Sequence, residues 1–148
     1  MSTSYDVPAN GFLRKISDYL LMNMESAEVI ELVDGYILGA LPYFKQCSKL
    51  SVRDDVARTF DDDLTNEEVE ILANLMVLEW LKPIVYNVDE LRNKFSTKDY
   101  KIFSPADLIG KLTNLQSYTR KENSRLIVSY TYTTISLDNL VQRTYTHG

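Results

Sequence analysis

Three consecutive aspartates, residues 61–63, are a candidate cation site, because clustered carboxylates bind hard cations such as Ca²⁺. A calcium loop of the EF-hand type needs a glycine at its sixth position and a glutamate at its twelfth. Counted from Asp61, those positions hold Asn66 and Leu72, so the pattern fails. We interpret the aspartates instead as negative charge at the N-terminus of a helix, where the helix dipole favours it.

Other reactive side chains are few. Cys47 lies between Lys45 and Lys49, which could lower its pKa, but the one histidine of the sequence is His147, far along the chain. One cysteine and one histidine exclude a Cys/His zinc site, and no phosphate-binding glycine loop is present. Glu79 is either a buried carboxylate with a basic partner or, as we favour, a residue on the solvent-exposed face of its helix. The sequence therefore predicts no enzyme activity, no metal and no cofactor.

The elements that must position these residues are mainly helical. Thr65 and Glu68 have the spacing of a capping box, and the apolar run that follows covers more than one face. Pro83 is expected to stop that run. We therefore predict a fold of the mainly α class, a small helical bundle around a central, enclosed helix over residues 65–82.

Three segments are expected along the chain. Residues 1–10 are polar and contain a proline, which favours an N-terminal arm. Residues 11–129 form the helical domain, and its long last helix covers residues 104–130. Residues 130–148 begin with an uncharged run of tyrosine and threonine, which favours an extended C-terminal tail. The alternative is that this segment merely extends the last helix and covers the core.

The charge is divided unequally along the chain. Residues 1–90 carry seven basic and 17 acidic groups, whereas residues 91–125 carry eight basic and three acidic groups. A net charge of −5 without a concentrated basic face argues against sequence-specific DNA binding. The opposite charges predict attraction either between the two parts of one molecule or between copies. We also expect a protein without a signal peptide or a membrane-spanning segment.

Three stretches resemble the small neck proteins of tailed bacteriophages, also called head completion or head–tail connector adaptor proteins. They are DLTNEEVEILANLMVLEWLKP (residues 63–83), STKDYKIFSPADLIGKL (residues 96–112) and RLIVSYTYTTISL (residues 125–137). The resemblance spans residues 36–137. It implies a mostly helical virion protein that forms a ring beneath the portal and extends the DNA channel toward the tail.

The resemblance also implies specific partners. Residues 130–148 would dock into the portal through mainly apolar and aromatic side chains: Tyr130, Tyr132, Ile135, Leu137, Leu140, Arg143 and Tyr145. Basic residues would face the acidic part of the next copy in the ring: Lys111, Arg120, Lys121 and Arg125. The homo-oligomeric ring is expected to be dodecameric to match the portal. Other partners are the next neck or tail-completion protein and passing genomic DNA, which is contacted without sequence specificity.

The expected location is the neck of the virion, after synthesis in the host cytoplasm. The alternative function is a non-virion helical protein-interaction module that binds one partner through its tyrosine-rich C-terminal segment. The neighbouring genes separate these two hypotheses. Portal and terminase genes nearby favour the adaptor, whereas a host metabolic operon would exclude it.

Overall fold

The computed structural model describes residues 2–17, 26–86 and 105–146 of the chain. These residues form four α-helices: α1 (Asp6–Ile16), α2 (Ala27–Ala40), α3 (Asn66–Tyr86) and α4 (Pro105–Thr146). They also form three short strands: β1 (Thr3–Ser4), β2 (Arg53–Asp54) and β3 (Thr59–Phe60). Two 3-10 turns, Leu41–Tyr43 and Ser48–Ser51, lie between α2 and β2. The fold is mainly helical, as predicted.

Helix α3 is the centre of the bundle, and α1, α2 and α4 all contact it. Its buried side chains surround the helix axis: Ile71, Leu72, Ala73, Leu75, Met76, Val77, Trp80 and Leu81. The prediction of a central, enclosed helix is therefore confirmed. Its predicted end is wrong, because Pro83 lies inside the helix, which continues to Tyr86. A proline so close to the helix end removes one hydrogen bond, the one to the carbonyl of Glu79.

The first ten residues are not a polar arm, which corrects the sequence-based prediction. Strand β1 pairs antiparallel with β3, and Tyr5 and Ala9 are buried in the core. Helix α1 begins at Asp6, earlier than predicted. Pro8 is tolerated there because it lies in the first turn, where a backbone N–H has no partner within the helix.

The strands form a sheet with the order β1-β3-β2, in which both pairs are antiparallel. No sequence pattern indicated this sheet, because each strand has only two residues. Between β2 and β3, Arg58 adopts a φ of 59°, in the left-handed region. Its guanidinium donates to Asp34 in α2 and to Asp6 in α1, at 2.6 and 2.9 Å. The turn of the sheet is thereby attached to two helices.

Helix α2 approaches α3 closely at Gly39. A Cβ at this position would lie 2.6 Å from Oε2 of Glu79. The Glu79 side chain is only 18% exposed, and its Oε1 accepts a hydrogen bond from Nζ of Lys82 at 2.6 Å. Of the two interpretations offered for Glu79, the structure therefore supports the partly buried carboxylate with a basic partner, and the favoured one is wrong.

Helix α4 has 42 residues and lies antiparallel to α3. Asn74 in the middle of α3 donates to the side-chain carbonyl of Asn123 at 3.3 Å, and Tyr130 of α4 reaches Glu68 in the first turn of α3. None of the helices in the described residues combines the length and the apolar composition that crossing a membrane requires. Although α4 is long enough, it is too polar.

The backbone from residue 130 to Thr146 is helical, so the predicted extended conformation is wrong, and the first part of the alternative, a continuation of the last helix, is found. Three threonines of the strand-like run are accommodated within this helix. The hydroxyls of Thr131, Thr133 and Thr134 each donate to the backbone carbonyl four residues earlier, at 2.8–3.0 Å. These bonds satisfy the hydroxyls inside a helix, so the β-branched residues need no strand partner.

Candidate functional site

The carboxylate of Glu68, which is 2% exposed, accepts hydrogen bonds from distant parts of the chain. Its Oε1 accepts from the backbone N–H of Thr65 at 2.8 Å and from Nζ of Lys49 at 2.9 Å. Its Oε2 accepts from the Cys47 thiol at 3.1 Å and from the Tyr130 hydroxyl at 2.8 Å. The Glu68 N–H donates to Oγ1 of Thr65, so the predicted capping box is confirmed. We call these five residues the Glu68 cluster.

The charges of the Glu68 cluster follow from its hydrogen bonds. Burial alone would raise the pKa of Glu68, but the bonds from Thr65, Lys49, Cys47 and Tyr130 outweigh it and lower the pKa to about 2. Burial and the hydrogen bond to Glu68 raise the pKa of Cys47 to about 11, and the same two causes raise the pKa of Tyr130. At neutral pH the cluster therefore holds one carboxylate, one ammonium, a neutral thiol and a neutral phenol.

This protonation state favours a structural role for the Glu68 cluster. A neutral, buried thiol is a poor nucleophile, and Lys45, the second lysine near Cys47 in sequence, makes no ion pair with the described residues. The Tyr130 ring packs edge-on against Phe44, with ring centroids 5.1 Å apart. Among the residues that the structure describes, no group of three or more His, Cys, Asp or Glu could hold a metal ion. The cluster attaches α4 to the first turn of α3.

The stability of the protein should fall in acid through Glu68. Its folded pKa of about 2 lies below its ordinary value of 4.5, so the unfolded chain binds the proton more readily. The resulting stabilisation is complete above pH 4.5 and is lost as the pH falls toward 2; it is worth at most about 3 kcal/mol. Urea denaturation between pH 7 and 2.5 measures this loss. The Glu68→Gln variant should show a shallower decline, and parallel curves for both proteins would contradict the assignment.

The predicted docking residues fall into three groups in the structure. Tyr130 is half-buried and bonded to Glu68, so its side chain is already used within the chain. Tyr132 is 76% exposed, because a helix directs it away from the face that carries Tyr130. The others lie in the helical backbone of α4, and the structure describes no side chains there: Ile135, Leu137, Leu140, Arg143 and Tyr145.

The four predicted ring contacts all lie on α4 with exposed side chains: Lys111, Arg120, Lys121 and Arg125. They do not share one face. Arg120 lies beside α3, whereas Lys121 and Arg125 lie on the outer face, and Arg125 pairs with Glu122 one turn earlier. The helix brings together only the last two as neighbours, since they are four residues apart. The part of the basic stretch before Pro105, residues 91–104, lies outside the described residues.

Sequence reasoning missed a cavity of about 250 Å³ between α3 and α4. Its floor is apolar, with Leu75, Leu78 and Ile127, and its rim is polar: Tyr43, Glu79, Lys82, Arg120, Asn123 and Ser124. The Lys82 ammonium lies 4.5 Å from the centroid of the Tyr43 ring and 2.8 Å from its hydroxyl. The helical spacing of Leu75, Leu78 and Lys82 was visible in the sequence, but the opposing wall comes from residues about 50 positions away.

Comparison of this chain with protein-family models, with curated proteins and with solved structures found no match.

Proposed function

We propose that the protein is a structural protein of the tailed-bacteriophage virion, an adaptor in the neck that joins the portal to the tail. In this proposal a homo-oligomeric ring of copies extends the DNA channel, and the C-terminal part of α4 docks into the portal. The protein acts by assembly. The resemblance of three sequence stretches to neck proteins and the mainly helical bundle both support this proposal.

The observation that carries the proposal is the length of α4 beyond Tyr130. Among the described side chains of α4, Tyr130 is the last that packs against the core, and it lies beside the first turn of α3. The helix continues over residues 131–146, about 24 Å of further length. A helix that continues this far beyond the side chain that holds it is suited to binding in a groove of a partner. The docking mode proposed is therefore helix-in-groove and not strand addition.

The charge distribution supports the proposed channel. Acidic side chains are exposed before and within the first turns of α3, at residues 61–63, Glu67 and Glu70. An acidic channel wall lets DNA slide without binding, because it repels the phosphate backbone. In the proposal these residues face the channel, while basic residues of α4 face neighbouring copies. A ring structure in which Lys111 or Arg120 lines the channel would overturn this arrangement.

The proposal is tested by electron microscopy of the protein mixed with the portal protein of the same phage. We expect portal-bound density for the wild type and its loss in a variant with Leu140→Ala and Tyr145→Ala. Alanine favours a helix, so this double variant keeps the backbone while removing large side chains. The matched control carries Gln142→Ala and Thr144→Ala, and it should bind as the wild type does.

Two results would contradict the proposal. Absence of portal-bound density for the wild type would exclude direct portal docking. Full binding by the Leu140→Ala/Tyr145→Ala variant would exclude α4 as the docking element. Circular dichroism of both variants shows whether the helix content is preserved.

A further inference from the structure

Helix α2 carries an exposed acidic face that nothing in the described chain covers. We define the acidic stripe as Glu28, Glu31, Leu32, Gly35 and Leu38, which follow one another at helical spacings of one to four residues. The two leucines are 47% and 41% exposed, a large share for apolar side chains on an ordered helix. Neither glutamate forms an ion pair with the residues that the structure describes.

Helix α4 carries an exposed basic face. We define the basic stripe as Tyr118, Lys121, Arg125, Val128 and Tyr132, which recur every three or four residues. The three apolar and aromatic members are 66–76% exposed. Lys121 makes no ion pair with the described residues. Arg125 forms an ion pair with Glu122, but the pair is exposed to solvent and contributes little to stability. The stripe lies opposite the face of α4 that packs on α3.

The two stripes are complementary in charge and both contain apolar side chains. They do not meet within one molecule, because α2 and α4 each pack against α3 and turn these faces to solvent. We propose that the acidic stripe of one copy packs on the basic stripe of the next. The occupant of each stripe is thus a second copy of this chain. Such a contact joins two different surfaces, and it therefore generates a ring or a filament and not a closed dimer.

The spacing of the residues allows this contact in either direction. With the two helices parallel and Glu28 opposite Lys121, Gly35 lies opposite Val128, because both pairs are 93 positions apart. With the helices antiparallel and Glu28 opposite Arg125, Glu31 comes close to Lys121, so the charges match in this direction too. A Cβ at Gly35 would meet nothing within 4 Å in the single molecule, so the glycine leaves space for a side chain of the neighbour.

Like charge excludes a symmetric pairing of two basic stripes, because Lys121 and Arg125 of both copies would then face each other. Two acidic stripes are excluded for the same reason. The heterologous contact relieves both repulsions at once. This inference gives the proposed neck ring its contact surface and rests on that function only for the closure of the ring. Self-association itself requires no portal.

The test is sedimentation of the purified full chain over a range of concentrations, with two charge-reversed variants. One carries Glu28→Lys and Glu31→Lys, and the other carries Lys121→Glu and Arg125→Glu. We expect concentration-dependent association of the wild type, and at least a tenfold weaker association of each variant alone. An equimolar mixture of the variants should associate again, because the reversed acidic stripe of one then meets the reversed basic stripe of the other.

A control with the same change in charge as the Glu28→Lys/Glu31→Lys variant carries Asp62→Lys and Glu67→Lys, two exposed positions outside both stripes, and it should associate as the wild type does. A wild type that stays monomeric at all concentrations would overturn the inference, and so would a mixture that fails to associate. Because these measurements contain no portal, their failure leaves the portal-docking experiment as an independent test of the proposed function.

Discussion

Replacing Glu68 by alanine should lower the free energy of unfolding by about 3–5 kcal/mol, because a buried carboxylate that accepts several hydrogen bonds is lost. The substitution removes four hydrogen bonds to the carboxylate, from Thr65, Lys49, Cys47 and Tyr130. It also leaves buried donors without an acceptor, which costs more than the bonds themselves contribute. Urea denaturation at pH 7 measures the change.

The neighbouring Glu67→Ala variant is the matched control. Glu67 lies in the same first turn of α3 and is exposed, so its loss should change stability by no more than about 1 kcal/mol. Glu68→Gln keeps an oxygen acceptor but loses the charge, and its stability should lie between those of the wild type and Glu68→Ala. Equal stability of the Glu67→Ala and Glu68→Ala variants would show that the buried hydrogen bonds contribute nothing.

A loss of similar size, about 3–5 kcal/mol, is expected for Phe12→Ala. Phe12 is fully buried where α1, α2 and α3 meet, and its ring contacts those of Tyr36 and Trp80, at centroid distances of 5.6 and 6.4 Å. Removing the ring takes away its burial and leaves a cavity that three helices cannot close without moving. Denaturation in urea at pH 7 gives the value directly.

Val7→Ala on the same helix provides the comparison. Val7 is 45% exposed, so its truncation should cost less than about 1 kcal/mol. A small effect of both substitutions would mean that the N-terminal segment does not belong to the folded unit. A large effect of Phe12→Ala alone supports the buried position of α1.

The local parts of the candidate site were predictable, and its long-range parts were not. The capping box of Thr65 and Glu68 is a signal contained in four residues, and it was predicted correctly. The other partners of Glu68 come from Cys47 and Lys49, about 20 residues earlier, and from Tyr130, 62 residues later. No periodicity in one sequence indicates that such distant residues meet.

The C-terminal segment shows how context decides between helix and strand. Its tyrosines and β-branched residues favour a strand by propensity, and that preference misled the prediction. In the structure the hydroxyls of Thr131 and Thr134 bond within the helix, while Tyr130 gains a buried partner in Glu68. A strand would have required a partner that the described chain does not supply, so the helix is the conformation that satisfies these groups.

The folded structure of the N-terminal segment could not be predicted for a different reason. Its buried residues are isolated among polar ones, and Thr3 is held by hydrogen bonds with the backbones of Asp62 and Leu64, at 3.0 and 2.9 Å. A ten-residue segment that is rich in polar residues and contains a proline resembles a flexible arm as long as these distant partners are unknown. The central helix, by contrast, was predictable because its apolar pattern is complete within its own 21 residues.

The short segment from Arg58 to Glu68 is contacted from both directions along the chain, since Tyr5 donates its N–H to the carbonyl of Arg58 and Tyr130 donates its hydroxyl to Glu68. Both contacts span more than 50 residues. Forming them is slow, because closing such long loops lowers the conformational entropy of the chain. We therefore expect α1 and the middle of α4 to become ordered late in folding, in one cooperative step. Native-state hydrogen exchange would then show α1 and the N-terminal half of α3 opening together with the middle of α4.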